Sequence, residues 1–181
     1  MLLAIGILCS CENDVEEVAL LTQNIKEPNS RGKNVSLIYS EKSDVKITVT
    51  APLMEEYGVD AEKYMEMKDG IKVQFFDSLQ NITSTLTSKY AIHHVGDKIM
   101  EAKNDVVVIN DKGEQLNTEH LIWNEDSSKI YSDEFVKITT EDEIIMGEGM
   151  EANQDFSKWK IYKIKGTINV KEETDSSSIN N

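Results

Sequence analysis

Residues 115–161, QLNTEHLIWNEDSSKIYSDEFVKITTEDEIIMGEGMEANQDFSKWKI, decide the fold of this chain. Along this stretch Val, Ile, Thr and Tyr alternate with polar residues, which is typical of half-buried β-strands. Turn-forming residues recur at intervals of about 15 residues, at Asp126-Ser127, Glu141-Asp142 and Asp155-Phe156-Ser157. The stretch therefore predicts a series of long antiparallel strands.

The same spacing continues upstream, where Gly96-Asp97 and Asp111-Lys112-Gly113 have turn chemistry. Each run between turns is interrupted near its middle by polar residues or Gly, at Asn104-Asp105, Thr118-Glu119, Asp133-Glu134 and Gly147-Glu148-Gly149. A strand interrupted in this way can bend and contribute to two packed sheets. We therefore expect an all-β fold, an open, V-shaped antiparallel β-jelly roll or sandwich of long bent strands.

The first half of the body shows the same alternation, in Val45-Ile47-Val49, in Ile71-Val73-Phe75 and in the series Ile82, Leu86, Tyr90 and Ile92. Residues 59–68, VDAEKYMEMK, fit a helix and an extended segment equally well. A last strand is expected over residues 158–170.

Strand alternation also predicts which side chains face the interior in the second half. The expected interior set is Leu116, Leu121, Trp123, Tyr131, Val136, Ile138, Ile145 and Ala152. The faces of Ile122 and Phe135 stay undecided, because a central bulge can exchange the two faces. A plain sandwich without an interior ligand fits the alternation as well as a ligand-holding one.

Composition excludes whole classes of partner. The chain has 181 residues and a formal net charge of −14, and its pI is near 4.6. Such an acidic surface repels nucleic acid and anionic bilayers. The length fits one ordinary domain.

Both cysteines, Cys9 and Cys11, lie at the end of the apolar run MLLAIGILCS. Leu8-Cys9-Ser10-Cys11 resembles a bacterial lipobox, which predicts a signal peptide over residues 1–10 and a lipid anchor on Cys11. We expect an acidic tether over residues 11–32, a β-domain over 33–170 and a disordered tail over 171–181. The alternative is an apolar N-terminus with an accidental cysteine.

Residue patterns for catalysis are absent from the body of the chain. It has no cysteine after Cys11, no glycine-rich phosphate loop and no G-x-S-x-G motif. Adjacent His93 and His94 point to opposite faces of a strand, and His120 has no partner at a ligand spacing. The sequence predicts neither an enzyme nor a metal or cofactor site.

Several motifs in order resemble the LptC-type lipopolysaccharide export proteins of the OstA-like jelly-roll superfamily, over about residues 40–170. The upstream motif is Thr87-Ser88-Lys89-Tyr90-Ala91, which leads into Met100-x-Ala102. The downstream motifs are Leu116-x-Thr118 with Leu121-x-Trp123, Lys129-Ile130-Tyr131-Ser132, Val136-x-Ile138-Thr139, and IMGEGMEANQD at residues 145–155.

The resemblance implies a periplasmic component of lipopolysaccharide export at the inner membrane of a bacterial envelope. Such a protein accepts lipopolysaccharide from an ABC transporter complex and passes it to an LptA-like bridge protein, without a cofactor. The groove expected to hold the acyl chains is lined by Leu86, Tyr90, Met100, Leu116, Leu121, Trp123, Tyr131, Val136, Ile138, Ile145, Met150 and Phe156.

Strand addition at free sheet edges is the expected mode of assembly. The C-terminal edge, with Trp159, Ile161, Ile164 and Ile168, would pair with the bridge protein. An N-terminal edge within Val35 to Val49 would pair with the transporter. The competing function is a surface lipoprotein that acts as an adhesin or a polysaccharide-binding β-sandwich module.

Overall fold

The computed structural model describes residues 27–170, which form eleven β-strands and one 3-10 turn at Asp60–Glu62. The predictions for the signal peptide, Cys11 and the tail lie outside the described residues. The first strand begins inside the range expected for the tether. The strands are β1 (Ser30–Glu41), β2 (Asp44–Tyr57), β3 (Tyr64–Met67), β4 (Ile71–Phe76), β5 (Ile82–Ser88), β6 (Tyr90–His94), β7 (Ile99–Asn110), β8 (Gln115–Asn124), β9 (Lys129–Thr139), β10 (Glu143–Asn153) and β11 (Trp159–Asn169).

The strands form one antiparallel sheet, which confirms the all-β prediction. Its main order is β11-β10-β9-β8-β7-β5-β4-β2-β3-β6; β1 also pairs with β2, and β6 also pairs with β7. The five turns expected between residues 94 and 159 each separate two consecutive strands. Asp and Asn cap several of them: Asn124 Oδ1, for example, accepts a hydrogen bond from the Ser127 N–H at 2.9 Å.

The expected interruptions in the middle of the long strands are also confirmed. Pairing between β7 and β8 shifts register after Lys103, where Asn104 and Asp105 have positive φ. Pairing between β8 and β9 shifts after Thr118, and pairing between β9 and β10 shifts after Glu148. Gly149 has a φ of +73° at that last bulge, a conformation that other residues adopt at a cost.

These irregularities let the long strands contribute to two layers. Layer A contains β4 and β5, and layer B contains β3 and β6. β2 pairs with β4 through residues 47–50 and with β3 through residues 55–57, so it passes from one layer to the other. β7 pairs with β5 of layer A and with β6 of layer B, so it also passes from one layer to the other.

The two layers pack face to face. β4 and β8 are three strand spacings apart along the sheet, about 14 Å if the sheet were flat. The Phe75 and Trp123 rings nevertheless meet edge to face with centroids 5.9 Å apart. The sheet is therefore folded over, and both layers share one apolar core.

Strand registration explains that core. In layer A one inward row crosses seven strands, and it consists of Val49, Val73, Leu86, Val108, Leu116, Ile138 and Ile145. In layer B the matching row consists of Met65, His93, Met100, Trp123, Ile130 and Ala152. Burying each large aliphatic side chain contributes about 1.5–3 kcal/mol.

The helical alternative for residues 59–68 is wrong. Gly58, at a φ of +74°, turns the chain after β2, and β3 then pairs antiparallel with β2. Extension puts Met65 and Met67 on the core face, and Met67 is fully buried. Burial of the two methionines outweighs the helix propensity of this segment.

Within residues 27–170, the helical structure is a single 3-10 turn, and no helix has the length and apolar character needed to cross a membrane.

Candidate functional site

The middle of the space between the layers is filled by side chains. Among residues 27–170, one void of about 10 Å³ lies there and another of the same volume lies beside the β7–β8 turn; each is roughly the space of one water molecule. The first is lined by Val73, Phe75, Leu86, Met100, Ala102, Leu121, Trp123 and Ile130. The second is lined by Asn110, Glu114, Gln115, Leu116, Ile138, Phe156 and Trp159.

A much larger space opens at one end of the interior, beside the β1–β2 hairpin. We call it the mouth cavity. Its volume is about 460 Å³, within the range of small-molecule sites. It is lined by Leu37, Ile38, Tyr39, Glu41, Lys46, Ile47, Val49, Met65, His93, Met100, Trp123, Glu125, Ser128 and Gln154.

The arrangement of the mouth cavity is that of a site for an amphiphile. Its inner wall is formed by core-facing residues such as Ile47, Val49 and Met100. Charged groups, among them Glu41 and Lys46, also line it. A hydrocarbon chain can lie against the apolar wall while a polar end group remains in water.

Two of the twelve residues expected to line the groove, Met100 and Trp123, line the mouth cavity. Trp123 is half-buried and packs against the core. The other buried members of the set are in the packed interior, and they are Leu86, Leu116, Leu121, Val136, Ile138, Ile145, Met150 and Phe156.

Tyr131 does not face the interior, and its expected place in the groove is corrected. Its neighbours Ile130 and Ser132 are fully buried. Because consecutive residues of a strand point to opposite faces, Tyr131 lies on the outer face. In β9 the Ile130 side chain faces inward, whereas the expected alternation had Tyr131 in that place. Phe135, whose face the sequence left undecided, is exposed.

Tyr90 is also on the outer face, because the chain changes face between β5 and β6, and Ala91 is the buried residue there. The Tyr90 hydroxyl donates a hydrogen bond to Glu66 Oε1 at 2.7 Å. Burial and this acidic partner raise the pKa of Tyr90. Ile82, expected on the same face as Leu86, is 45% exposed.

Two residues that line the mouth cavity have a polar ring atom that is inaccessible to solvent. Trp123 Nε1 is buried and has no hydrogen-bond partner among the described residues. His93 Nε2 lies 2.7 Å from Glu125 Oε1, an ion-pair distance without the alignment of a hydrogen bond. The sequence analysis treated His93 only as a poor metal ligand, and its inward position follows from its pairing with Met65 and Met100.

Leu37, Tyr39 and Met65 also line the mouth cavity, and sequence reasoning missed all three. The sequence feature that could have pointed to Leu37 and Tyr39 is the alternation of Val35, Leu37 and Tyr39 just before the Val45-Ile47-Val49 strand. That alternation predicts a hairpin but not the layer on which the hairpin lies.

Two strands have a free edge among the described residues. β11 pairs with β10 alone, and β1 pairs with β2 alone. Residues 35–49, expected as a single N-terminal edge, form parts of two paired strands, so that β1 is the edge and β2 is internal.

The four predicted residues of the C-terminal edge divide into two pairs. Ile161 is buried, and half-buried Trp159 packs against the core. Ile164 and Ile168 are 62% and 53% exposed. Four lysines, Lys158, Lys160, Lys163 and Lys165, accompany them, and residues 158–170 contain no acidic residue. Residues 158–170 thus form a cationic segment of an acidic protein.

On the outer face of layer B, a buried carboxylate joins three segments. Glu55 on β2 is 3% exposed. It accepts hydrogen bonds from Lys68 Nζ at 2.8 Å, Arg31 Nε at 2.6 Å and the Tyr57 hydroxyl at 3.1 Å. The hydrogen bond from Lys68 is the main cause that lowers the Glu55 pKa to about 2.

A second polar cluster surrounds Glu101 on the same outer face. Its carboxylate lies 2.7 Å from Lys103 Nζ, 2.9 Å from His120 Nε2 and 3.4 Å from His94 Nε2. Burial alone would raise the Glu101 pKa, but the hydrogen bonds from Lys103 and His120 outweigh it, and the pKa is lowered. Among residues 27–170, no group of three or more His, Cys, Asp or Glu side chains has a geometry that could hold a metal ion.

Comparison with protein families identifies a family model that covers nearly the whole chain. The family model described as LptC, "Lipopolysaccharide-assembly, LptC-related", matches residues 1–169. A search of curated proteins found no match to this chain. The family match covers every strand described above.

Proposed function

The chain belongs to the LptC-related family of lipopolysaccharide-assembly proteins, and we propose that it accepts lipopolysaccharide from the inner-membrane ABC transporter and passes it to a like-folded bridge protein. As a family member it is a cell-envelope protein of lipopolysaccharide export. We propose further that it is a carrier without a catalytic step, and that Cys11 anchors it by lipid at the periplasmic face of the inner membrane.

The observation that carries this proposal is the mouth cavity. Its apolar wall is continuous with the inward rows of both layers, so an acyl chain that enters has further apolar surface ahead of it. Each methylene withdrawn from water contributes about 0.8 kcal/mol. Partial shielding of a dozen methylenes therefore contributes several kcal/mol to the binding free energy of the lipid.

The groove residues identified from the sequence keep a role in this proposal. Met100 and Trp123 form the first contact with the lipid at the mouth cavity. The buried residues behind them, such as Leu86 and Leu121, line the path that the lipid takes when the two layers separate. Tyr90 and Tyr131, on the outer face, are not part of it.

The negative charge of the protein is compatible with an anionic cargo. Affinity comes from the apolar cavity, and the phosphorylated head group stays in water, where salt screens the repulsion over about 8–10 Å. The repulsion between a chain of formal charge −14 and the anionic head group opposes binding of lipopolysaccharide, and it equally favours its release.

Transfer of lipopolysaccharide between proteins uses the edge strands β1 and β11. We propose that β11 adds to a strand of the bridge protein and that β1 adds to the transporter, because each strand has one edge without a partner strand within the described part of the chain. The exposed Ile164 and Ile168 and the lysines of β11 support this use. An acidic partner strand would complement the lysines.

Photo-crosslinking in cells tests the cavity. A photoreactive residue at Tyr39, which lines the mouth cavity and is 63% exposed, is expected to capture lipopolysaccharide. Tyr162, of the same residue type and similarly exposed on β11, is the matched control and is expected to capture none. Equal capture at both positions, or capture at Tyr162 alone, would contradict the proposal.

A further inference from the structure

The space between the two layers is open on one side of the molecule and closed on the other. At the β1 side, the mouth cavity of about 460 Å³ lies between the ends of the layers. At the β11 side, the ends of the layers close on a void of about 10 Å³. A lipid that enters at the mouth cavity and leaves at β11 therefore meets a closed end.

The turn between β10 and β11, residues 154–158, forms this closed end. Phe156 in the turn is 4% exposed, and it lines the small void together with Leu116 and Ile138 of layer A. The turn itself follows the layer B part of β10, because Ala152 belongs to the inward row of that layer. The Phe156 ring thus lies between the ends of the two layers.

A hydrogen bond joins the same two ends. Trp159 begins β11 and pairs with Ala152 in layer B, and its Nε1 donates to Glu114 Oε2 at 3.4 Å. Glu114 precedes the layer A part of β8 and also accepts a hydrogen bond from Asn110 Nδ2 at 2.7 Å. We call Phe156, Trp159 and Glu114 the latch. The indole hydrogen bond is long and therefore weak, so it is readily broken.

The backbone of the turn also favours release of the latch. Phe156 has a φ of 55°, in the left-handed region that a bulky side chain rarely adopts. The turn keeps this conformation through hydrogen bonds from the Phe156 N–H to the Asn153 carbonyl at 2.9 Å and from the Ser157 N–H to Asp155 Oδ1 at 3.0 Å. Such strain persists only where the surroundings impose it, and here burial of the ring offsets it.

We propose that the latch is the exit gate of the lipid path: while it is closed, an acyl chain binds at the mouth cavity and goes no further. Release of Phe156 and of the hydrogen bond between Trp159 and Glu114 opens the way to the β11 edge. This proposal rests on the proposed carrier function and names the residues that control its last step. Gln154, two residues before Phe156, lines the mouth cavity. A lipid in the cavity therefore lies against the turn that carries the latch.

Fluorescence quenching by a fatty acid brominated at its chain end tests the gate, because bromine quenches an indole only at contact distance. The probe is ω-bromododecanoic acid, used below its micelle concentration with the full chain. The chain has two tryptophans. Trp123 lines the mouth cavity and Trp159 belongs to the latch, so that Trp123→Phe makes the latch the only source of tryptophan emission.

In the Trp123→Phe chain the probe is expected to quench Trp159 only weakly, because the acyl chain stops at the mouth cavity. Adding Phe156→Ala should raise the quenching several-fold. Adding Glu114→Ala instead removes the acceptor of the indole hydrogen bond, and it should raise the open population about three- to tenfold, the usual worth of one hydrogen bond. Glu114 is in a turn and only half-buried, so this second variant keeps the test decisive if Phe156→Ala fails to fold.

Tyr162→Phe in the same background is the matched control. It also removes a hydrogen bond between a ring on β11 and a carboxylate, since the Tyr162 hydroxyl donates to Glu151 Oε2 at 3.0 Å. This bond joins two strands of one layer and does not cross to the other. Quenching in this variant should equal that of Trp123→Phe alone.

The outcomes separate the gate from the carrier function. The Trp159→Phe chain, in which Trp123 alone emits, reports binding at the mouth cavity, and the absence of quenching there overturns the carrier function. With Trp123 quenched, strong quenching of Trp159 before any latch change overturns the gate, as does weak quenching after both latch changes. An increase with Tyr162→Phe equal to that with Glu114→Ala also overturns it, because loosening of β11 alone would then explain the signal.

Discussion

At the scale of single residues, the Glu55 cluster shows how one buried carboxylate fixes an edge strand. The only arginine of the chain, Arg31 on β1, binds Glu55 on β2, and Lys68, which follows β3, binds the other oxygen. Removing one partner of a buried ion pair leaves the other uncompensated. The contact adds to the backbone pairing that holds β1, one wall of the mouth cavity, along β2.

The lowered pKa of Glu55 predicts a specific acid sensitivity. Its value falls from 4.5 to about 2 on folding. A group with a lowered folded pKa contributes stability that is complete above pH 4.5 and is lost as the pH falls toward 2. Glu55→Gln should therefore lose less unfolding free energy than the wild type between pH 4.5 and pH 2, measured by urea titration at a series of pH values.

The matched control for this prediction is Glu148→Gln, a half-exposed glutamate 3.6 Å from Lys165. It should keep the wild-type slope, because a screened surface pair contributes little. Identical pH profiles for wild type and Glu55→Gln would show that the Glu55 cluster does not stabilise the fold.

At the scale of elements, β11 has one side bonded to β10 and one side without a partner strand among residues 27–170. The Val170 N–H donates to the Asp142 carbonyl at 2.8 Å, so it points toward β10. In an antiparallel pair the N–H groups of successive residues point to alternate sides. The N–H groups of Thr167 and Asn169 therefore point to the free edge, where a partner strand would bind.

Proline at position 167 tests strand addition without breaking the sheet. Thr167→Pro removes one free-edge N–H and leaves the bonds to β10, and an edge strand tolerates proline at such a position. Pull-down of the proposed bridge protein should weaken about tenfold, because added strands bind through these backbone groups. Thermal stability should change little.

Thr167→Ala, which retains the N–H, is the control and should bind like the wild type. Ile168→Pro removes an N–H that faces β10 and should lower stability as well as binding. Undiminished association of Thr167→Pro would show that the bridge protein does not add to β11 at this point.

At the scale of the whole molecule, the two layers share one core although each has its own short strands. Leu116 belongs to layer A and Leu121 to layer B, and both are buried on the same strand, β8. Phe75 and Trp123 interlock across the layers. Neither layer has a hydrophobic core of its own, so we expect residues 27–170 to unfold as one unit.

Leu116→Ala and Leu121→Ala should each lower the free energy of unfolding by about 2–5 kcal/mol, the cost of a cavity in a packed core. Each variant should retain a single transition, followed by tryptophan fluorescence and circular dichroism during urea unfolding. Ile109→Ala, on an exposed position of β7, is the control and should change stability by less than about 1 kcal/mol. Two separate transitions would contradict a shared core.

The sequence by itself determined where the strands begin, turn and bend. Turn residues such as Asp126-Ser127 and the polar steps such as Asn104-Asp105 act within a few residues of chain, so their effect can be predicted without knowing the fold. The family motifs and the free C-terminal edge were predictable for the same reason. The acidic composition likewise predicted that nucleic acid and anionic bilayers are not partners.

Only the tertiary structure decided which way the side chains face after each irregularity and where the interior remains open. Tyr90 faces outward because the chain reverses its inward face between Ser88 and Ala91. Tyr131 faces outward because β9 keeps the same face inward from Ile130 to Ile138, without the reversal that a central bulge could have produced. The mouth cavity joins Tyr39 and His93, distant in the sequence, because β2 and β7 each pass between two layers. A site built from long-range pairing has no local signal, since the residues that meet there are selected by register and not by their neighbours in the chain.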